Sequence, residues 1–168
     1  MRHGSKRAIA ALAAVAAMIG APALVSADTG GGSGPVFATI TVAVGPSAPL
    51  TAKLIAKVPV DITCTLTQAG IDAGASVAPD FSFISVSLTE AVTKTTIAEG
   101  YGGAAPLVCD GAPNHFSVLV QSSNAPFKGG RAIVQVIAEG DWLPFDPDTG
   151  QLAGTAFIAT DPTVIHLK

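Results

Sequence analysis

The chain has 168 residues, of which 49% are hydrophobic and 12% are charged, and its formal net charge at pH 7 is −3. This length suits a single domain with one hydrophobic core. Because the basic residues are few and scattered, the chain lacks the clustered cations that bind a phosphate backbone, and we expect no nucleic acid among its partners.

The N-terminus has the layout of a secretory signal peptide. Residues 1–7 are basic, residues 8–19 are apolar, and residues 25–27 read Val-Ser-Ala, a small-x-small cleavage pattern. The apolar stretch is shorter than a bilayer span requires, so an uncleaved membrane anchor is the less favoured interpretation. Asp28 rather than a cysteine follows the expected cut, which disfavours a lipoprotein. We therefore predict that residues 1–27 are a signal peptide.

Cleavage after Ala27 makes the exported chain more acidic. It removes three of the nine Lys and Arg residues and none of the twelve acids, so the mature net charge is −6. Residues 28–35 read DTGGGSGP and predict a flexible linker, and residues 36–168 predict the folded domain. We expect a secreted, extracellular monomer with no membrane association once the signal is cleaved.

The first two predicted strands alternate apolar and polar residues. Residues 36–44 and residues 52–66 each place an apolar side chain at every second position, which is typical of strands with one buried face. The second pattern holds for fifteen residues and directs Cys64 towards the core. Pro59 lies on its outward side and predicts a break or an edge position, because proline donates no backbone hydrogen bond.

The middle of the chain mixes strands with glycine-rich segments. Residues 68–80 predict a loop, and residues 82–88 predict a strand with a bulge or a strand start near Phe83. Residues 93–97 predict a short strand, and residues 99–105, EGYGGAA, predict a loop.

The C-terminal half again reads as short strands between turns. Asp110 and Gly111 predict a turn, and residues 141–151 predict an acidic loop. Four further strands are expected, at residues 116–120, 132–138, 154–159 and 163–167. With seven to nine strands and no helical period after the signal, the sequence predicts an all-β sandwich or barrel.

The chain contains only two cysteines, Cys64 and Cys109, and both are expected to point inward, the second on the same face as Leu107. In an oxidising compartment an isolated pair is typical of one disulfide. A two-cysteine metal site is less favoured because no further Cys or His lies nearby. An inward-facing pair favours two sheets pinned face to face by an inter-sheet disulfide.

Five segments carry a pattern that extends from Val58 to Leu167. They are ITCTLTQ (62–68), FISVSLTE (83–90), VCDGAPNHFSVLVQ (108–121), APFKGGRAIVQVIA (125–138) and TVIHL (163–167). In this pattern the chain resembles a family of secreted, actinobacterial-type immunoglobulin-like domains of unknown function. The resemblance implies an immunoglobulin-like two-sheet sandwich with a disulfide, and it carries over no catalytic residue. The chain departs from antibody domains, since Leu107 replaces the corner tyrosine and Trp142 follows the second cysteine.

The candidate catalytic residues are sparse. The sequence contains no Gly-x-Ser-x-Gly and no His-Glu-x-x-His motif. Asp110, His115 and Ser117 are close enough in sequence to suggest a triad, but a turn aspartate beside two outward strand residues is the favoured interpretation. His166 is expected to be an ordinary surface residue. We expect no enzyme and no cofactor.

Two aromatic residues and three acids make the segment 141–150, DWLPFDPDTG, the best candidate binding site. Trp142 and Phe145 are candidate ligand-binding residues, which Tyr101 would join if the fold brings its loop alongside. The competing interpretation is that these rings pack inward and cap the domain.

The same segment contains a weak calcium candidate. Asp141, Asp146 and Asp148 supply carboxylates, the last two at the alternate spacing found at the start of calcium loops. The glutamate that completes an EF-hand is missing, so a simple hairpin turn is favoured and we expect no metal.

Together these patterns predict a secreted, non-enzymatic immunoglobulin-like module that binds or spaces an extracellular protein or polysaccharide. The alternative is a small secreted hydrolase or an enzyme inhibitor.

N-terminal sequencing of the exported protein tests the compartment. The small-x-small pattern at residues 25–27 places the cut after Ala27, so the mature protein should begin at Asp28. A product that retains Met1 or remains in the membrane fraction would contradict secretion.

Overall fold

The computed structural model of the protein describes residues 37–145 and 152–168. The predicted signal peptide, the linker and residues 146–151 lie outside the described residues. The described elements are β1 (Ala38–Val44), β2 (Ser47–Ala48), β3 (Leu50–Thr51), β4 (Ile55–Leu66), α1 (Gln68–Asp72), β5 (Ser76–Ala91), β6 (Ile97–Ala104), β7 (Pro113–Ser122), β8 (Gly130–Phe145), β9 (Leu152–Ala159) and β10 (Thr163–Leu167).

The described strands form one curled, mixed sheet. Its order is β1-β4-β7-β6-β5-β8-β10-β2, with β3 paired to β4 and β9 paired to β8. The β10–β2 pair is parallel, whereas the other pairs are antiparallel. The predicted all-β class is confirmed. The strands follow a continuous hydrogen-bonded path, so a division into two facing sheets stays a prediction.

The segment that joins β1 to β4 closes the sheet on itself. The Lys57 N–H donates to the Pro49 carbonyl at 2.9 Å, which attaches the segment to β4. The Lys168 N–H donates to the Ala48 carbonyl at 3.0 Å and the Leu50 N–H donates to the Lys168 carbonyl at 2.6 Å, which attaches the same segment to the end of β10. The segment therefore ties β4, near one end of the path, to β10, near the other.

The core is the inner surface of this curl, and the period-two predictions hold there. On β4 the alternate side chains from Ala56 to Cys64 are fully buried, and on β5 the inward set predicted from Ser82 to Leu88 is buried. The central inward side chains of β1, β7, β8 and β10 belong to the same core: Ala38, Ile40, Val42, Val118, Val120, Ala132, Val134, Val136, Ala138, Ile165 and Leu167.

β4 runs through Pro59 without the predicted break, and the proline instead lies at a local edge of the sheet. The β1 pairing ends where Val44 faces Val60, and the β3 pairing begins where Leu50 faces Ala56. Proline therefore occupies the gap between two partners, where its missing N–H interrupts no ladder. Gly45 packs against it, since a Cβ there would lie 2.5 Å from the Pro59 ring.

The predicted start of the second strand at residue 52 is wrong, because β4 begins at Ile55. Ala52 and Lys53 have φ angles of 49° and 61°, in the left-handed region, and they form the turn between β3 and β4. Leu54 is consequently exposed. Residues 52–54 continue the apolar alternation of the strand in sequence, but the backbone reverses direction there, so these residues are not part of β4.

The predicted loop at residues 68–80 contains a short helix and the start of β5. The Thr67 hydroxyl caps α1 by accepting from the Gly70 N–H at 3.1 Å. β5 begins at Ser76, and its pairing with β8 shifts register between Val77 and Ser82. This irregularity lies just before Phe83, close to where the sequence predicts it.

The glycine-rich segment predicted as a loop is strand β6, and the predicted short strand at 93–97 is mostly the turn before it. A Cβ at Gly102 would overlap the Leu119 carbonyl oxygen of β7, and one at Gly100 would lie 2.8 Å from the Phe127 ring. The glycines of β6 therefore allow β7 and Phe127 to pack closely against the strand, and they do not form a turn.

The Cys64–Cys109 disulfide is present, with the two Cα atoms 4.4 Å apart. Cys64 is buried on β4, whereas Cys109 lies in the segment between β6 and β7 and is not in a strand. Leu107 in that segment is buried, and its N–H donates to the Ser82 hydroxyl at 3.1 Å. The bond thus joins β4 to the segment that enters its paired neighbour β7, and the predicted inter-sheet position is not observed.

Glu90 is a buried acid that continues the inward side of β5. Only 2% of its surface is exposed, and its Oε2 atom accepts a hydrogen bond from the Lys128 N–H at 2.8 Å. This bond holds the β7–β8 connection, where Phe127 is fully buried. The sequence pattern did not identify Glu90 as buried, because apolar-polar alternation predicts an apolar residue at each inward position.

Removing the disulfide should destabilise the domain. The double change Cys64→Ala with Cys109→Ala opens a covalent loop of about 46 residues, so the free energy of unfolding should fall by about 2–5 kcal/mol in urea titration. The freshly isolated wild type should contain no alkylatable thiol, and two reactive thiols by mass spectrometry would contradict the crosslink.

Glu90→Ala should lower the free energy of unfolding by about 1.5–3 kcal/mol, because it removes a hydrogen bond to a charged acceptor and leaves the Lys128 N–H without its partner. Glu99→Ala is the matched control, since Glu99 is exposed on the adjacent strand. Equal midpoints for the two variants in thermal unfolding would show that the buried carboxylate does not hold the connection.

Candidate functional site

The outward residues of β6, β5, β8 and β10 form a continuous surface that we call the outer face. Thr89 on β5 lies opposite both Glu99 on β6 and Ile133 on β8, and Ile133 lies opposite Val164 on β10. Ala91 and Ile97 are opposite one another in the next row. Side chains from four strands therefore meet on one side of the sheet.

One end of the outer face is an apolar patch, defined by Ala91, Ile97, Ile133 and Val164. Ile133 is 48% exposed, and Ile97 and Val164 are exposed to a similar degree. With Thr89 and Arg131 these side chains line a shallow depression of about 430 Å³. Outward positions of a half-solvated sheet are normally polar, so a cluster of β-branched aliphatic residues is a departure from the pattern.

The other end of the outer face carries a groove that we call the glycine groove, defined by Phe83, Ser85, Gly103 and Ala105. It has a volume of about 510 Å³ and is floored partly by backbone because Gly103 has no side chain. Phe83 is 46% exposed at one end. Tyr101, two residues before Gly103 on the same strand, is 58% exposed.

The register separates Tyr101 from Trp142. Tyr101 lies opposite Ser87, which lies opposite Gln135, and Trp142 is seven residues further along β8. At about 3.3 Å per residue, that is roughly 23 Å along the strand. The fold therefore does not bring Tyr101 beside the predicted aromatic pair.

The prediction of a loop at residues 141–151 is wrong for residues 141–145. Residues 141–145 belong to β8, where Trp142 lies opposite Gly154 of β9 and Phe145 lies opposite Leu152. β8 is extended past the expected end because β9 continues to supply backbone partners. Proline in this stretch suggested a loop, but the antiparallel partner lies close enough to maintain a strand.

The calcium candidates are only partly described. Asp141 lies in β8 opposite Thr155, while Asp146 and Asp148 lie outside the described residues. Within the parts of the chain that the structure describes, no three His, Cys, Asp or Glu residues are grouped to hold a metal ion. The described residues therefore do not test the weak calcium candidate.

The suggested triad does not assemble as the sequence spacing would require. The Asp110 carboxylate accepts from the Ala112 N–H at 2.8 Å, so the predicted turn role is confirmed. His115 instead pairs with Asp61, with 2.7 Å between Nδ1 and Oδ1. Ser117 lies on the same outward face of β7, opposite Pro59.

The Asp61–His115 pair was missed because its members are 54 residues apart. The signal that finds it is the β4–β7 register, which places these two residues opposite one another. Both side chains are exposed, and an ion pair in this setting contributes little to stability. A hydrogen-bonded carboxylate can fix the imidazole tautomer, but water surrounds the pair and screens its charge.

No helix in the described ranges is long and apolar enough to cross a bilayer. Comparison of the chain with protein-family models, curated proteins and solved structures found no match.

Proposed function

We propose that the chain is a secreted, non-enzymatic, immunoglobulin-like module that binds a partner outside the cell through its outer face. The apolar patch is the observation that carries this proposal. The exposed halves of Ile97, Ile133 and Val164 would contribute about 2–4 kcal/mol if a partner covered them, from the usual burial energy of aliphatic side chains. Arg131 borders the patch, and arginine beside a desolvated apolar centre is common in binding hot spots.

The immunoglobulin-like part of the proposal is supported by the strand order. The run β1-β4-β7-β6 followed by β5-β8-β10 has the order of the A-B-E-D and C-F-G strands of a constant-type domain. On this proposal the β5–β6 hairpin joins the two sheets, and the chain is a relative of the secreted family that its sequence resembles. The position of the disulfide differs from that in a constant-type domain. It joins β4, which corresponds to strand B, to the connection between β6 and β7, instead of to β8, which corresponds to strand F.

Extracellular location is supported by the disulfide, since such bonds persist in oxidising compartments. The acidic mature chain and the N-terminal signal pattern agree with export. Loops and faces of a rigid β framework commonly carry recognition, and a function of this kind requires no cofactor.

The alternative, a small secreted hydrolase, would use the Asp61–His115 pair. It is the less favoured function because both groups are exposed, and catalytic electrostatics depend on a site that excludes water. Ser117 is the nearest outward hydroxyl on the same strand, so His115→Ala should abolish any hydrolytic turnover that this arrangement supports.

A charge placed in the apolar patch tests the proposed function. The exported protein is immobilised and challenged with envelope and culture-medium fractions of the producing cell, and saturable partners are identified and titrated. Ile133→Lys should weaken their binding by about tenfold or more, because a buried ammonium group opposes desolvation of the patch.

Ile71→Lys is the matched control, since Ile71 is 58% exposed on α1, whose main strand contact is with β4 and not with a strand of the outer face. It should bind as the wild type does. Equal affinities for the Ile133→Lys variant and the wild type, or the absence of any saturable partner, would refute the proposed role of the patch.

A further inference from the structure

The glycine groove has Phe83 in its lining at one end, and the exposed Tyr101 follows on β6 beyond the other end, two residues from Gly103. Tyr101, Gly103 and Ala105 are the exposed, alternate residues of β6 and its extension. On β5, Ser87 lies opposite Tyr101 and Ser85 lies opposite Gly103. Phe83 is four residues from Ser87, so the two rings are attached about 13 Å apart along the strand direction.

The floor between the rings carries serine hydroxyl groups, and the groove lining includes no charged side chain. Ser85 and Ser87 are half-buried on β5. The Ser87 hydroxyl donates to the Gln135 carbonyl at 3.5 Å, and the oxygen atoms of both serines can accept hydrogen bonds from a ligand. Gly103 contributes only backbone at the position where the side chains of neighbouring strands would otherwise meet. An extended ligand can therefore lie along the strand between the two aromatic side chains.

Charge favours a neutral ligand in this groove. The groove-lining residues include no Lys, Arg or His, and the acid on the neighbouring strand, Glu139, lies opposite Phe83. The mature chain is also net negative. An anionic polymer would meet repulsion here with no cation to offset it.

We propose that the glycine groove binds a neutral polysaccharide, with Tyr101 and Phe83 as stacking platforms and Ser85 and Ser87 facing the sugar hydroxyls. This inference rests on the proposed function as a secreted binding module and adds a second site on the outer face, separate from the apolar patch. Aromatic faces stack on the apolar C–H faces of pyranose rings, and rigid rings lose little conformational entropy on binding. The groove lies apart from the apolar patch, whose aliphatic side chains offer no stacking surface.

Affinity electrophoresis of the full mature protein in gels containing a soluble neutral polymer tests the proposal. The probes are dextran, soluble starch, hydroxyethylcellulose and yeast mannan, with polygalacturonate as the anionic comparison. At least one neutral polymer should retard the wild type, and polygalacturonate should not. Tyr101→Ala and Phe83→Ala should each weaken that retardation about tenfold, whereas Tyr101→Phe, which keeps the ring, should retain most of it.

Two control variants separate this proposal from the proposed function. Ile71→Ala, at a position as exposed as Tyr101, and Ile133→Lys in the apolar patch should bind the polymer normally. If no neutral polymer retards the wild type, or if Tyr101→Ala binds unchanged, the groove is not a polysaccharide site even where Ile133-dependent capture persists. Release of reducing ends from a polymer that binds would instead refute the non-enzymatic function while leaving the groove assignment intact.

Discussion

The hydrogen bonds of residues 46–51 are the constraint on which the rest of the described structure depends. These residues bond to β4 on one side and to β10 on the other, and those strands lie near opposite ends of the sheet order. Period-two alternation gives each strand one apolar face, but an open sheet would leave much of that surface in water. Because the short segment ties both ends together, the apolar faces turn towards a common interior, and side chains such as Val58, Val86 and Val134 become fully buried.

The sequence predicted well those features that depend on local periodicity. The inward sides of β1, β4, β5, β7 and β8 follow directly from alternation, and the Asp110–Gly111 turn follows from side-chain chemistry. Features that depend on contacts with a distant strand could not be predicted from local periodicity. Gly102 permits contact with a carbonyl of β7, so composition alone made a strand resemble a loop. The helix α1 is five residues long, too short for a helical period to register.

The candidate surfaces were hard to predict for a related reason. Ile133 is recognisable as an outward apolar residue, yet nothing in the sequence indicates that Val164 and Ile97 join it from strands far along the chain. Tyr101 was singled out as a candidate binding residue, but the register places it opposite Ser87 and Gln121 instead of beside Trp142. Register, which fixes such neighbours, depends on how β5, β6 and β8 align over their whole length.

The position of the disulfide has a consequence for chain cleavage. The covalent ring closed by Cys64 and Cys109 contains all of α1, β5 and β6, and therefore both sides of the glycine groove. The turn between β5 and β6 is exposed at Lys94. A protease that cuts there would produce two polypeptides that stay attached, and their strands would remain paired to β8 and β7. The cleaved protein would migrate as an intact molecule until a reductant released its two fragments. Cleavage at this turn alone would therefore leave the strands of the outer face in place.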